Sequence, residues 1–431
     1  MMNRPFVFVL VLTLGLVPAK GQRASQGVLD PAGGRTAEDL VALALTRNAE
    51  FLAGRQLVAS AQAGLTQARL KANPSIEFSE SKEIAGPQNA FVIGGSLPLE
   101  LFHRRERRIE VAQSGVKMAE SEQSDRQRQL RWEVESKYGE VLAAVRNLQV
   151  AEDLLDLNRK ALELTQTRAD QGAAAPLDAN LLRVEVNRID SSRVEFEAKL
   201  GISLLELKSL VGMKPDEDLR LKGSLETTFP DINRDQAIRH ALETRPDILA
   251  ARAAERVASA KLRQAETEAR PDASLSANYQ RMDSSFDANG LNAAGQLVPI
   301  QGIFHTLTAG VSITLPVRNR NQGAIETAIA QMEEAKRRRE YAELIAAREI
   351  SAALLVREKA QESLRIFRED VRVQAGQNLE VVRRTYELGR TQVLDVIAEQ
   401  RRLIDIEMGY TEALNRYYQA SVRLRAAIGA P

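Results

Sequence analysis

The 431-residue chain carries 59 Lys+Arg against 58 Asp+Glu, a formal net charge of +1, so no global field selects a polyanionic partner and nucleic acid is not expected as a ligand. Cysteine is absent, which removes disulfides, thiolate metal sites, cysteine nucleophiles and a lipid anchor on an N-terminal cysteine. Aromatic residues make up only 4%, too few for the several cores of a soluble chain this long, and long Ala/Leu/Glu/Arg helices account for that better.

The N-terminus reads Met1 to Arg4, then an apolar run from Phe6 to Val17, then Val17-Pro18-Ala19, whose small residues suit cleavage after Ala19. Residues 1–19 are therefore expected to be a secretory signal and 20–35 a linker. A retained membrane anchor needs roughly 20 apolar residues, more than this run offers. Nothing downstream of Gly21 is long and apolar enough to span as a helix, so a mature chain that crosses a membrane must do so with β-strands.

The sequence is written twice. Glu38-Asp39-Leu40-Val41-Ala42-Leu43-Ala44-Leu45 returns 197 residues later as Asp235-Gln236-Ala237-Ile238-Arg239-His240-Ala241-Leu242, and Phe51-Leu52-Ala53, Gln67-Ala68 and Pro74 keep that offset to Ile248-Leu249-Ala250, Gln264-Ala265 and Pro271. Each short helix is expected to stop at the residue before its proline. Beyond the prolines the offset becomes 216 for Ile109-Glu110 and Ile325-Glu326, and 217 for Gly172 through Asp178 and Gly389 through Asp395. One insertion of roughly 19 residues between Tyr279 and His305 accounts for the drift; Asp283-Ser284-Ser285, Asn289-Gly290 and Pro299 read there as a long surface loop. A period near 200 is a duplicated domain, giving a first repeat over 36–214, a linker over 215–232 and a second repeat over 233–431.

After each proline the period changes to two. Ala273, Leu275, Ala277 and Tyr279, and then Leu307, Ala309, Val311, Ile313 and Leu315, alternate with small polar residues; Ile76 and Phe78, then Phe91, Ile93, Gly95 and Leu97, repeat this more weakly. Strands of about 9–11 residues with this alternation suit a barrel with lipid outside and water inside, and also suit a soluble hairpin with one buried face. From Arg104 to Asp170, and from Gln322 to Leu388, proline is absent and glycine scarce, which predicts two helices near 65 residues, each roughly 100 Å long. Coiled-coil spacing runs through Val134, Tyr138, Val141, Val145 and Leu148, through Ile350, Ala353, Ala360, Leu364, Phe367 and Val371, and through Val396, Leu403, Tyr410, Tyr417 and Leu424 with Ile406, Ala413 and Ala420 between. Breaks at Gln171–Pro176 and Gly389–Gln392 precede a returning helix in each half. Four strands are too few to close a barrel of about eight or more, and open strand edges cannot sit in lipid. Closure therefore demands oligomerisation; a cyclic trimer gives about 12 strands.

These features together resemble the TolC-type outer-membrane factor family, in particular its CzcC-like branch, from Thr36 to about Ile428. Asn73-Pro74, Leu99-Glu100-Leu101-Phe102 and the run Leu315-Pro316-Val317-Arg318-Asn319-Arg320-Asn321-Gln322-Gly323 carry the resemblance. It implies a mainly α fold with a small β part: a homotrimer whose 12-stranded barrel lies in outer-membrane lipid and continues into a periplasmic α-helical barrel with a closable end. It further implies a periplasmic adaptor (membrane fusion) protein and an inner-membrane efflux pump of RND type as partners, and favours metal cations as cargo.

By the same resemblance Asp395 stands at the pore gate, with Asp178 its counterpart in the first repeat. Ala398 occupies the position of a second acidic ring, with Glu399 beside it. Tyr386 and Arg390 stand near where the family ties its hairpins together, Arg390 one place off the pattern. Gly172, Gly389 and Thr391 mark the tips expected to face the adaptor. Converging carboxylates in a narrow pore would attract cations. The same Asp178 and Asp395 also suit the positive N-termini of their helices. His103, His240 and His305 are scattered, with no ligand spacing, phosphate loop or nucleophile motif, so no catalysis, cofactor or resident metal is expected. The alternative function is a periplasmic adaptor or coiled-coil scaffold without a pore, which two equivalent hairpins and four alternating strands oppose.

Overall fold

The computed structural model describes residues 24–84 and 88–429; the expected signal, residues 1–19, lies outside them. The chain divides into two compact units. The first gathers the residues up to Arg47 with Glu133–Phe229 and Val356–Val422, and the second gathers Asn48–Trp132, Pro230–Leu355 and the residues from Arg423 on.

In the second unit, α2 (Ala49–Arg69) and α6 (Pro246–Glu268) lead into the strands. Asn48 accepts the Phe51 N–H at the start of α2, and Pro246 fills the first turn of α6, where its missing N–H costs nothing. Both helices end short of the prolines expected to stop them. Arg105 and Arg108 donate to the carbonyls of Arg69, Ala68 and Leu70, and Arg104 donates to those of Glu268 and Arg270. Guanidinium groups thus take the terminal acceptors and end each helix before the proline is reached.

The strands β1 (Ser75–Lys82), β2 (Asn89–Pro98), β3 (Asp272–Leu291) and β4 (Leu297–Thr314) form one antiparallel sheet in that order, with β1 and β4 as its edges. The register aligns Phe78, Ile93, Tyr279 and Leu307 in one row across the sheet, and Leu97, Leu275 and Val311 in another on the same face. Ser75, Ser96, Ser276 and Gly310 form a row on the opposite face. The apolar face is open, with Leu307 79% and Val311 62% exposed.

The expected loop between Tyr279 and His305 is strand instead. Pairing of β3 with β4 continues to Leu291 opposite Leu297, with a register shift between Phe286 and Asn289, and the reversal is confined to Asn292–Gln296. Asn289 and Gly290, expected to turn, lie opposite Pro299 and Val298. Asn292 holds the true turn by accepting the N–H groups of Ala294 and Gln296. Polar composition suggested a loop, yet a ladder that satisfies each backbone group tolerates polar side chains equally well. Between β2 and the next helix, Glu100, Phe102 and His103 take positive φ, and Glu100 pairs with Arg108 at 2.5 Å.

The long helix α3 (Arg104–Asp170) runs over the span expected. Its counterpart also covers the span expected, to within one residue, but α7 (Gln322–Ile366) passes through a π-helical turn, Phe367–Val371, into α8 (Arg372–Glu387). The returning helices are α4 (Pro176–Val211) and α9 (Val393–Ile428), whose first and last residues are each 217 apart. Val134, Tyr138, Val141, Val145 and Leu148 are buried, as are Ile350, Ala353, Leu364, Val396, Tyr410, Tyr417 and Leu424, while Ala360, Phe367, Val371 and Leu403 are half-buried, so the stripes form core along most of their length. Burial pushes the Tyr138 hydroxyl up to about 12, and it donates to the Lys222 carbonyl as a neutral group.

The short helices α1 (Ala37–Arg47) and α5 (Arg234–Thr244) also keep an offset of 197 at both ends. Thr36 and Asp39 form a reciprocal cap on the first, and Asn233 caps the second. α1 packs on α4, while α5 buries Ala237 and Ala241 against Ile350, Ala353, Leu424 and Ile428. Leu221 bridges Leu29 and Arg35, and Phe229 meets the edges of Tyr417 and Tyr418, so the segment between the repeats is held in the first unit. Among the described residues no helix is long and apolar enough to cross a membrane.

Candidate functional site

The two hairpin tips lie in the first unit and share one construction. At the end of α3, the Gly172 and Ala173 N–H groups return to the carbonyls of Ala169 and Arg168; at the end of α8, those of Gly389 and Arg390 return to Tyr386 and Thr385. This six-residue closure needs a left-handed residue, supplied by Gly172 at φ +72° and Gly389 at φ +71°. Pro176 then opens α4 with its φ already helical.

At the second tip, Asp395 and Thr391 come together. The Thr391 hydroxyl donates to the Asp395 carboxylate at 2.6 Å and the Gln392 N–H donates to the same oxygen at 3.2 Å. The Thr391 hydroxyl, and then that N–H, hold the exposed Asp395 carboxyl below the usual carboxylate range. Asp395 therefore fastens the start of α9 while its carboxylate stays open to solvent. Asp178 is half-buried, and its carboxylate makes no hydrogen bond or ion pair among the described residues. No bond joins it to Asp395.

Tyr386 packs against Leu182, Val393 and Ile397, with Leu162 and Leu181, so it joins α8 to α4 by apolar contact. Arg390 is exposed and makes no ion pair among the described residues. Glu399 pairs with Arg402 one turn along, and Ala398 is exposed.

Two turns from the tips stands a group that the sequence reading passed over. Glu185 is fully buried in α4 and accepts from Arg188 at 2.7 Å and from Arg401 of α9 at 2.7 Å. Burial alone would push its carboxyl up, but the hydrogen bonds from Arg188 and Arg401 outweigh that and hold it below the usual range. Apolar clusters lie on either side: Leu182 with Val393 and Ile397, and Leu155 with Val186 and Ile189. The signal was available, since Glu185 interrupts an apolar stripe of Leu182, Val186 and Ile189 at helical spacing.

Residues 40–213 and 237–430 match the family described as outer membrane efflux protein. The chain belongs to that family. It is 23% identical over 402 residues to the cobalt-zinc-cadmium resistance protein CzcC of Cupriavidus metallidurans, covering 93% of this chain and 91% of that one. It is also 23% identical over 408 residues to the outer membrane protein TolC of Vibrio cholerae, covering 90% and 87%. Among solved structures it is similar to CusC, described through conformational changes accompanying folding and transmembrane channel formation, with a TM-score of 0.75 at 19% identity over 92% of each chain. The mainly helical fold with a small antiparallel sheet is that of these relatives. An outer membrane efflux protein resides in the outer membrane, and the poreless-scaffold alternative falls away.

Proposed function

We propose that the protein is the channel component of a tripartite efflux system, a passive duct and not an enzyme. The sheet carries this reading. Its four strands end in two free edges while one face presents Phe78, Ile93, Tyr279 and Leu307 to the surroundings. Free edges are costly in lipid, so copies must join edge to edge; three copies give about 12 strands and an aqueous lumen lined by the small polar face. In this reading residues 1–19 direct export, repeats 36–214 and 233–431 each supply one strand hairpin and one helical hairpin, and the helices extend into the periplasm.

The tips face a periplasmic adaptor through Gly172, Gly389 and Thr391, and an inner-membrane pump, probed first as one of RND type, drives transport. Asp395 and, more weakly, Asp178 ring the closed pore, with Tyr386, Arg390 and Glu399 around them. Similarity to a cobalt-zinc-cadmium resistance protein supports divalent metal cations as cargo. The test is extraction and reconstitution. Mature protein should leave outer membranes only with detergent, sediment as a trimer rich in helix, and conduct ions in planar bilayers. A stable monomer that still forms ion-conducting pores would contradict the trimeric reading.

A further inference from the structure

The two long hairpins differ at one height. In the second repeat the helix widens into the π turn Phe367–Val371; the matching stretch of the first repeat, 150–154, is unbroken α-helix within α3. A π turn interrupts the regular hydrogen-bond ladder and is a recurrent place for a helix to bend. The facing helix is softened at the same height. Gly409 lies inside α9, and a Cβ there would stand 3.0 Å from two ring carbons of Phe367. At the corresponding place the first repeat has Ser192. At this height both arms of the second hairpin, and neither arm of the first, carry a weak point; helical glycines of the first hairpin such as Gly139 and Gly201 lie at other heights.

Beside this level, Tyr410 is buried with the guanidinium groups of Arg146 and Arg372 over its ring at 5.1 and 5.0 Å. Arg372 is the first residue after the π turn and is anchored to Glu407 at 2.6 Å; Arg146 belongs to α3 of the first repeat. The Tyr410 hydroxyl donates to Glu226 at 3.3 Å. The stack thus ties the segment beyond the turn to the other repeat. A cavity of about 860 Å³, lined by Glu226, Arg368, Glu369 and Tyr417 among others, leaves room beside the turn.

We propose that the π turn and Gly409 form a paired hinge about which the hairpin from Arg372 to Met408 swings, and that Arg146, Tyr410 and Arg372 form the catch that holds it in the position seen here. This presupposes the channel reading above, and it names where the closable end is hinged. Removing the catch should favour the swung state, and stiffening the hinge should oppose it.

The test compares assembled trimers of wild type, Tyr410→Leu, Arg372→Gln and the double variant Gly409→Ala/Phe367→Leu, in which the smaller side chain makes room for the added methyl. In single-channel recording, Tyr410→Leu should raise open probability roughly tenfold, the worth of two cation–π contacts, and Arg372→Gln roughly threefold. The double variant should lower it by roughly threefold or more, since alanine stiffens a helix that glycine loosens. A second readout needs no conduction. Because the chain lacks cysteine, Val184→Cys and Val381→Cys, both at exposed positions, accept nitroxide labels without background. Their distance distribution should gain a second population in Tyr410→Leu and Arg372→Gln and narrow in the double variant. Unchanged distances in trimers of both catch variants would overturn the hinge. If wild type conducts nothing, the channel reading fails, and the distances still decide the hinge.

Discussion

The first and second repeats begin and end their helices at matching places and differ in what lies between. The strands of the first hairpin have 8 and 10 residues and those of the second have 20 and 18; the first long helix is unbroken and the second contains a π turn. Local chemistry explains the shared part. Thr36 and Asn233 start the short helices, and Gly172 and Gly389 end the long ones in identical closures. The differences sit where no local stop signal acts. An antiparallel ladder can lengthen two residues at a time without disturbing its flanks, and a helix can take up one extra residue as a π turn without changing its ends.

The largest expected effect tests a second asymmetry. Glu185 in α4 is fully buried between Arg188 and Arg401, while the corresponding Arg402 in α9 is exposed and pairs with Glu399. Arg401→Met should therefore cost about 2 kcal/mol, less than the usual loss for breaking a buried pair because Arg188 remains. Arg402→Met should stay within about 0.5 kcal/mol. Thermal unfolding, with hydrogen exchange over the first turns of α9, measures both. Equal losses would erase the distinction. Acid sharpens it: Glu185 has a folded pKa below its unfolded value, so its contribution is present above the unfolded pKa and lost as pH falls through the folded one. The wild-type tips should loosen only below the ordinary carboxylate range, and Arg401→Met should loosen at higher pH.

A smaller effect is expected at the glycines. Space is open around both Gly172 and Gly389, but a side chain in left-handed backbone costs roughly 1–2 kcal/mol. Gly172→Val and Gly389→Val should lose similar stability and leave trimer and barrel intact. In cells, Gly389→Val should abolish efflux by the complete system; normal efflux would remove that tip from the proposed docking surface. Smaller still is the effect of trimming the second strand hairpin to the length of the first. Replacing 284–302 by a short turn should shift stability by no more than about 1 kcal/mol, because an isolated two-stranded ribbon is marginal. Loss of membrane insertion in that variant would show that the extra length belongs to the span.

Most of the frame was legible in the sequence because its signals are local. Pro176 and the tip glycines mark reversals, the stripe from Val134 to Leu148 marks core, and the alternation through Ala273 and Tyr279 marks a strand. What escaped reading depends on partners distant in the chain. Helices α2 and α6 end where Arg105 and Arg108, 36 to 40 residues away, and Arg104, 164 to 166 residues away, reach their carbonyls. Extension of β3 through Asp283 and Asn289 depends on β4 lying opposite, and the packing of Phe367 from the π turn against Gly409 joins residues 42 apart in the chain. At the tips, the spacing of Gly389 and Asp395 was visible, whereas the carboxylate's use by Thr391 and Gln392 appears only in three dimensions.

The smallest effect on folding is expected at Asp395, where one carboxylate is asked to do two things. It accepts from Thr391 and Gln392 at the start of α9, and those bonds keep it ionised well below neutral pH. Its folded pKa is depressed, so it steadies the helix start above the unfolded pKa and ceases to as pH falls through the folded one. Three such groups on a threefold axis would also hold multivalent cations. Asp395→Asn keeps one acceptor oxygen and removes the charge. Assembly should be unchanged, and exchange should quicken only in the first turn of α9. In planar bilayers, block by trivalent cations from the periplasmic side should weaken several-fold and cation preference should fall. Asp178→Asn should do less, because that carboxylate sits half-buried and holds no cap. The two roles separate in Thr391→Val, which removes the hydroxyl donor and keeps the charge. Faster exchange with unaltered block in Thr391→Val, set beside weakened block in Asp395→Asn, would assign the pore effect to charge alone. Identical block in wild type and Asp395→Asn would instead leave Asp395 as a helix-start residue and put the constriction elsewhere.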